Sequence, residues 1–461
     1  MDEKRLDCVH MTRRSIPSID RLIQQYSDCG LPRGFLTAVI RKAVNEHRRE
    51  AGTTEHLNAS IRSAISGWKQ QRIQPVINAT GVVIHTNLGR APLGQGVGEK
   101  LVQTGTQYSN LELDLGNGKR GSRGSYVEEA LAILSGAEAA TVVNNCAAAL
   151  VLIIKALTER KKEVVVSRGE LVQIGGGFRI PDILESAGAT LREVGTTNRT
   201  STKDYEKALG PETGMILKVH QSNFQVSGFV ESVSHGELKK LGGRKRCPVV
   251  FDLGTGNLFP GLEVEGTATE PTPMQAINAG VDLVCFSGDK LMGGPQAGII
   301  VGKRSLVSRL KKNPFFRALR CDKLILSGLQ EVVEAYLGEE DGPVSPVAAM
   351  FEISADETKA RCSSWKNVLS RSGLKMEVVE APGTVGGGSL PGSSLKGFAL
   401  AVRHVGLSAK KSLDFLRGGE VPVIGSIQSD RVLLNPRTVL EHQDPIVLKR
   451  LKELGQWEGL A

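Results

Sequence analysis

From residue 75 onward, short apolar runs rich in β-branched residues alternate with stretches of helical periodicity. No other feature narrows the fold as far. The runs at 163–167, 215–219, 249–253, 282–286 and 298–302 are mostly apolar along their length, so both of their faces need cover, and 190–194 is a sixth, more polar run. Helices between successive runs supply that cover by crossing over, and right-handed crossovers build a mostly parallel sheet. The stretch 145–157 reads as one such helix. The expected class is α/β with a mostly parallel sheet in the large domain. Fifty-three glycines and an aromatic content of 4% suit an Ala/Gly/Val-rich α/β enzyme better than a β-sandwich.

A smaller α/β domain is expected from residue 341. It holds a long helical stretch over 348–370, the glycine-rich segment 383–388, and strands at 421–424 and 431–434. The first 74 residues read instead as three short amphipathic helices. Ser18 opens the first, with Ile19, Leu22, Ile23 and Tyr26 on one stripe. The second directs Phe35, Leu36, Val39, Ile40 and Val44 inward, and the third Leu57, Ile61, Ala64, Ile65 and Trp68. The expected organisation is a helical module over 1–74, a large domain over 75–340 and a small domain over 341–461.

Lysine and arginine outnumber aspartate and glutamate by 58 to 49, a net charge of +9. The first 74 residues hold 13 of those cations and 8 of the acids, so +5 of the surplus sits there. Arg41, Lys42, Arg48 and Arg49 repeat at a seven-residue interval, which lays two cationic pairs along the polar side of the second helix. A basic terminal module on a near-neutral body suits a polyanionic partner. No run of 18 apolar residues occurs, and the start Met1-Asp2-Glu3-Lys4-Arg5 is charged where a secretion signal needs an apolar core. Seven scattered cysteines form no Cys-x-x-Cys pair. That spacing argues for a reducing, cytoplasmic setting and against a disulfide framework or a zinc site. No metal ligands are expected.

Gly116-Asn117-Gly118-Lys119-Arg120-Gly121 matches the dinucleotide pattern G-x-G-x-x-G, but that fingerprint needs a buried parallel strand before it. The preceding Asn110-Leu-Glu-Leu-Asp-Leu115 alternates with acids, as a strand with one wet face would. No G-x-x-x-x-G-K-[ST] segment exists, so P-loop chemistry is set aside as well.

Two other segments say more. Val249-Val-Phe-Asp252 and Asp282-Leu-Val-Cys-Phe-Ser287-Gly-Asp289-Lys290 each read as a buried strand delivering polar side chains at its C-terminal end, where open α/β sheets bind ligands. A partly buried lysine such as Lys290 can hold a carbonyl compound as a Schiff base. Pyridoxal phosphate also needs a carboxylate to keep its ring nitrogen protonated, a role that Asp252 fits. Glycines 288, 293 and 294 leave room for a flat ring beside Lys290. Taken singly, Asp252 is a strand-end acid and Lys290 a turn lysine. Ser287 and the small-residue helix start at Asn145, Cys146 and Ala147, able to receive a phosphate, join them into a cofactor site. His220, ending the strand 215–219, lies near the same edge and is a candidate ring contact.

Longer matches point to a family. They are Ile77-Asn-Ala-Thr-Gly-Val-Val-Ile-His-Thr-Asn-Leu-Gly-Arg90-Ala-Pro-Leu93, Tyr108-Ser-Asn-Leu-Glu-Leu-Asp-Leu115, Lys119-Arg-Gly-Ser-Arg123 and Glu193-Val-Gly-Thr-Thr-Asn-Arg-Thr200. The segment 287–298, Phe315-Phe-Arg-Ala-Leu-Arg320 and Val385-Gly-Gly-Gly-Ser-Leu-Pro391 complete the set. With them the chain resembles, from Ile16 to Thr438, the bacterial selenocysteine synthases, or L-seryl-tRNA(Sec) selenium transferases. The match departs from the family pattern at Gln428-Ser429-Asp430, at Asn435-Pro436 and at Gly124, none of them at Lys290 or Asp252.

The resemblance implies a fold-type I pyridoxal 5'-phosphate transferase with the cofactor on Lys290. It implies serine esterified to the selenocysteine tRNA as substrate and selenophosphate as selenium donor. Serine would lose its Cα proton and β-hydroxyl to an aminoacrylyl intermediate, and selenium would then add. The module 1–74, with Arg41, Lys42, Arg48 and Arg49, would grip the tRNA. Arg90, Arg317 and Arg320, the last two i,i+3 on an expected helix, would hold the anionic donor or the tRNA's terminal phosphate. From its place beside Lys290 rather than from the resemblance, Asp289 is expected either to orient a substrate or an arginine or to cap the turn. The family's dimer-based rings, typically of ten subunits, imply a homo-oligomer, with neither membrane nor DNA as a partner. A pyridoxal phosphate β-lyase acting on a free amino acid or sugar would share the cofactor residues, but would have no use for the basic module.

Overall fold

The computed structural model describes residues 16–50, 53–173, 175–259, 270–338 and 343–457. The charged start of the chain and the expected boundary at residue 341 lie outside the described residues. The chain forms two compact units, Met1–Pro75 and Val76–Ala461.

The first unit is helical: α1 (Ile19–Gln25), α2 (Arg33–Glu50) and α3 (Thr54–Gln71). Ser18 and Thr53 cap α1 and α3, accepting from Arg21 N–H and His56 N–H at 3.3 and 3.2 Å. Leu22, Leu36, Ile40, Val44, Leu57 and Ile61 make its core. Phe35 and Trp68, expected inside, are instead 41% and 44% exposed and meet edge-on at 4.9 Å. Three short helices enclose too little volume to bury every residue of a wide apolar stripe.

The second unit is built on a seven-stranded sheet. Its strands, after β1 (Ile77–Asn78), are β2 (Ala139–Val143), β3 (Glu163–Ser167), β4 (Thr190–Val194), β5 (Thr213–Val219), β6 (Val249–Gly254), β7 (Leu283–Ser287) and β8 (Gly298–Gly302). Their order is β2-β8-β7-β6-β5-β3-β4. β3 to β7 run parallel, and β8 runs antiparallel to both β7 and β2. Successive residues feed two cores. Val250 and Ile300 pack on one face with Leu150 and Ile153, while Phe251 and Ile299 pack on the other with Leu131 and Leu329. Covering helices explain why these strands show so little alternation in sequence.

Beyond the sheet lie β9 (Lys375–Glu380), β10 (Phe398–Arg403), β11 (Val423–Ile424), β12 (Ser426–Gln428) and β13 (Arg431–Leu434). β12-β13-β10-β9 form an antiparallel sheet, and β11 pairs parallel with β1. Two of the three departures from the family pattern have local explanations. Ser429 and Asp430 both hold positive φ, 50° and 53°, as the two-residue turn of the β12–β13 hairpin requires. Pro436 opens a single helical turn, with the Asn435 side chain accepting from Arg437 N–H at 3.0 Å.

Two expectations fail for stated reasons. Asn110–Leu115 is no strand. The Asp114 carboxylate accepts from Gly116 N–H and from the Asn117 amide, both at 2.8 Å, and folds 114–119 into an exposed turn. Gly116 and Gly118 belong to that turn, and Gly121 N–H pairs back to the Glu112 carbonyl at 3.0 Å. The stretch 348–370 breaks into Pro346–Glu352 and Ala355–Val368, because Ser354 and Glu357 form a capping box that starts a new helix.

Candidate active site

β6 and β7 lie side by side with Asp252 opposite Cys285. Asp252 is only 9% exposed, and Lys290 follows β7 in a tight turn. Between them stands Gly254, at φ 71°. A Cβ there would lie 3.9 Å from Asp252 Oδ1 and Ser222 Oγ and 4.0 Å from Lys290 Nζ. The missing side chain keeps the space between acid and amine open. Among the described residues, the Lys290 amine makes no hydrogen bond or ion pair.

Two thiols back the acid. Cys146 and Cys285 donate to Asp252 Oδ1 at 3.5 and 3.7 Å. Burial pushes the Asp252 carboxyl above its ordinary range, while Lys290, the two thiols and His220 pull it back. The hydrogen bond with Cys146, burial and the Asp252 charge together push the Cys285 thiol well up, so it stays S–H. The three groups lie within 4.8 Å of one another. With Cys285 protonated, they form a donor–acceptor cluster around the Asp252 carboxylate.

Cys146 begins the helix Cys146–Leu157. The Asn145 side chain caps that helix, accepting from Ala148 N–H at 2.9 Å, which leaves the first-turn N–H groups of Cys146 and Ala147 for an anion. Gly298 allows this arrangement, since a Cβ on it would lie 2.0 Å from the Asn145 carbonyl. Arg90, Asn145, Cys146, Ala147, His220, Asp252, Ser287, Asp289 and Lys290 all line one cavity of 230 Å³, together with Thr86, Ser222 and Gly387.

Two sequence-level readings change. Glycines 288, 293 and 294 do not make room for a ring. Their absent side chains face Pro295 O, Ser345 Oγ and Gly288 O, and so let the turn around Lys290 close. Arg317 and Arg320 do not share a helical face, because that helix ends at Leu319 and Arg320 is extended. Arg317 is exposed, and Arg320 lies 3.6 Å from Glu112, which also binds Arg120 and Arg123. The Arg123 hydrogen bond, aided by the charges of Arg120 and Arg320, lowers the Glu112 carboxyl. Within this chain neither Arg317 nor Arg320 lines the cavity. Arg90 does, at 2.7 Å from Asp289.

His220 donates its backbone N–H to Asp252 O at 2.9 Å. Its Nε2 meets Glu270 at 3.1 Å, and Glu270 also accepts from Thr255 Oγ1 at 2.5 Å. Sequence reasoning missed Glu270, Gly254 and Cys285. Of these, only Cys285 carried a signal, its place on the strand beside Asp252. In the helical unit, Arg41, Lys42, Arg48 and Arg49 are all exposed on α2, with Lys42 4.0 Å from Glu46.

Pyridoxal phosphate suits these residues. The cavity offers a buried acid with no ion-pair partner within 4 Å among the described residues, a neighbouring unpartnered amine, a gap where a Cβ is missing, and a helix N-terminus for a phosphate.

Residues 76–440 match the family model for L-seryl-tRNA selenium transferase. The L-seryl-tRNA(Sec) selenium transferase of Geobacter sulfurreducens is 43% identical over 457 residues, covering 95% of this chain and 98% of that protein. That of Aquifex aeolicus is 42% identical over 448 residues, covering 96% and 98%. Among solved structures, D-glucosaminate-6-phosphate ammonia-lyase superposes with a TM-score of 0.57 at 20% identity, covering 84% of this chain and 98% of that one. That likeness is one of fold, the fold-type I architecture.

Proposed function

The chain belongs to the L-seryl-tRNA selenium transferase family, and from that membership and its site we infer that it converts seryl-tRNA(Sec) to selenocysteinyl-tRNA(Sec). The finer reading is a pyridoxal phosphate enzyme with selenophosphate as donor, acting in a homo-oligomer. One observation carries the chemistry: the unpartnered Lys290 amine and the buried Asp252 carboxylate flank the gap left by Gly254.

When bound, pyridoxal phosphate supplies an electron sink for the bonds broken at serine Cα and Cβ. The protein does the rest. Lys290 Nζ anchors the cofactor, then takes the proton from serine Cα. Asp252, its Oδ1 held by two thiols, keeps a proton on the ring nitrogen. The N–H groups of Cys146 and Ala147 bind the phosphate, and Ser287 lines the same floor. His220, fixed by Glu270, lines the cavity that would hold the ring. Arg90, set by Asp289, presents its guanidinium to the anionic donor, and the exposed Arg317 and half-buried Arg320 serve the same anion or the tRNA end. Arg41, Lys42, Arg48 and Arg49 bind the tRNA backbone.

The deciding experiment incubates the protein with serylated selenocysteine tRNA and selenophosphate and identifies the amino acid released from the tRNA. Selenocysteine is expected. Unchanged serine would sink the reading. Borohydride treatment should fix a pyridoxyl group on Lys290, and a label on any other lysine would reassign the anchor.

A further inference from the structure

A serine esterified to tRNA brings a nucleoside with it. The ester joins the seryl carbonyl to a ribose hydroxyl, so the terminal adenosine lies only a few bonds from the atoms that must meet Lys290. That adenosine needs a cavity continuous with the catalytic one. Two further cavities share wall residues with it. One shares Arg90, measures 140 Å³ and is bordered by apolar Val83, Leu88, Ala91 and Met350. The other shares Val219 and His220 and measures 410 Å³. Pockets for molecules of nucleoside size start at about 300 Å³. Only the second is large enough.

This larger cavity lies at the C-terminal ends of β3, β4 and β5, the edge at which open α/β sheets take ligands. Its rim includes 196–200, part of a family-matched segment that the catalytic cavity does not use. Each charged group on its wall has a partner: Lys218 meets Glu170 at 2.9 Å, Arg199 meets Glu231 at 2.6 Å, and Glu270 meets His220 Nε2 at 3.1 Å. Burial, Lys218 and His220 hold the His235 imidazole at about 4, so it adds no cation. Among the described residues, His235 Nε2 has no partner. The remaining lining offers hydroxyls and amides from Thr196, Thr197, Asn198 and Gln221, beside the ring of Phe224. A phosphate would call for uncommitted cations. A polar cavity without an uncommitted cation, with an aromatic side chain, suits a base and its ribose.

We propose that this cavity receives the 3'-terminal adenosine of the aminoacyl-tRNA, an inference that rests on the substrate reading above. Ser227 and Thr197 are exposed on its wall, so Ser227→Trp and Thr197→Trp fill it without disturbing a core. The test uses full-length, cofactor-loaded protein and two uncharged tRNAs, one complete and one lacking the 3'-terminal adenosine. In competition binding, the wild type should prefer the complete tRNA at least about tenfold. Each filled variant should lose that preference while keeping the cofactor's absorption spectrum and its affinity for the shortened tRNA. A preference that survives both substitutions overturns the proposal. So does a wild type that converts serylated tRNA yet binds both tRNAs equally. A wild type that fails to convert serylated tRNA overturns the substrate reading, and the adenosine site with it.

Discussion

Arg90 and Asp289, 199 positions apart in the chain, meet with Arg90 Nη1 2.7 Å from Asp289 Oδ2. The contact sits beside the reactive lysine, and Ala91 N–H donates to the Asp289 carbonyl at 3.3 Å to latch the same two segments. Asp289 is 6% exposed and its Oδ1 has no partner among the described residues, so its charge depends on Arg90. Arg90→Gln should therefore destabilise the protein by about 1.5–3 kcal/mol, the range for a lost hydrogen bond to a charged group. It should still eliminate the serine hydroxyl when donor is withheld, but transfer selenium poorly, with partial relief at high donor concentration. Arg90→Lys should rescue stability better than transfer, since an ammonium cannot reproduce the planar fork. Loss of hydroxyl elimination in Arg90→Gln would remove Arg90 from the donor site.

Asp252→Asn keeps the shape and removes the charge that the ring nitrogen requires. Elimination should slow by about 10²–10³-fold or more with cofactor still bound. Cys285→Ala acts through Asp252. It removes a donor that holds the carboxyl down, so the acidic limb of the kcat/KM profile should move to higher pH. An unshifted limb would make Cys285 a packing residue only.

The sheet was legible in the sequence because its central strands are short, mostly apolar runs, while the edge strand β4, Thr-Leu-Arg-Glu-Val, is largely exposed, and every expected run is found within two residues of its place. Asp252, Lys290 and His220 were legible because strand ends expose polar residues after apolar ones. Spacing arguments failed where a side chain redirected the backbone: Asp114 turned an alternating segment into a loop, and Ser354 cut one helical pattern in two. The glycines illustrate the limit best. Sequence proximity favoured 288, 293 and 294, but the open space beside Lys290 belongs to Gly254, brought there by the pairing of β6 with β7.

Gly254→Ala tests that geometry. The left-handed backbone costs an alanine about 1–2 kcal/mol, and its methyl would stand between the acid and the amine. Cofactor affinity should fall sharply while Gly293→Ala, whose clash is with Ser345, should lose stability first. The separation is read by cofactor titration against thermal melting. Equal cofactor affinity in wild type and Gly254→Ala would place the ring elsewhere.

His235 gives the fold an acid-sensitive component. Its ordinary value of 6.5 falls to about 4 in the folded chain, chiefly through burial. Between about 6.5 and 4 the unfolded chain binds a proton that the folded chain refuses, so stability falls with pH across that window and is unaffected above it. The slope can reach at most about 1.4 kcal/mol per pH unit. His235→Leu should flatten it, as followed by denaturant unfolding between pH 4 and 7. An identical slope in the variant would assign the acid sensitivity to other groups.

The basic face of α2 should govern RNA affinity separately from chemistry. Arg41, Lys42, Arg48 and Arg49 are exposed, and only Lys42 has an acidic neighbour within 4 Å among the described residues, at the limit of 4.0 Å. Each phosphate they neutralise would release counterions on binding, which steepens the dependence of affinity on salt. Replacing all four with glutamine in the full-length chain should weaken tRNA binding at low salt. It should also reduce the slope of log K against log salt by roughly 0.7–0.9 per lost contact. The absorbance of the bound cofactor should not change, because these side chains lie in a compact unit of their own. An exposed basic strip that merely keeps the protein solvated would leave both affinity and slope where they were. That result would move tRNA recognition to the unit that carries Lys290.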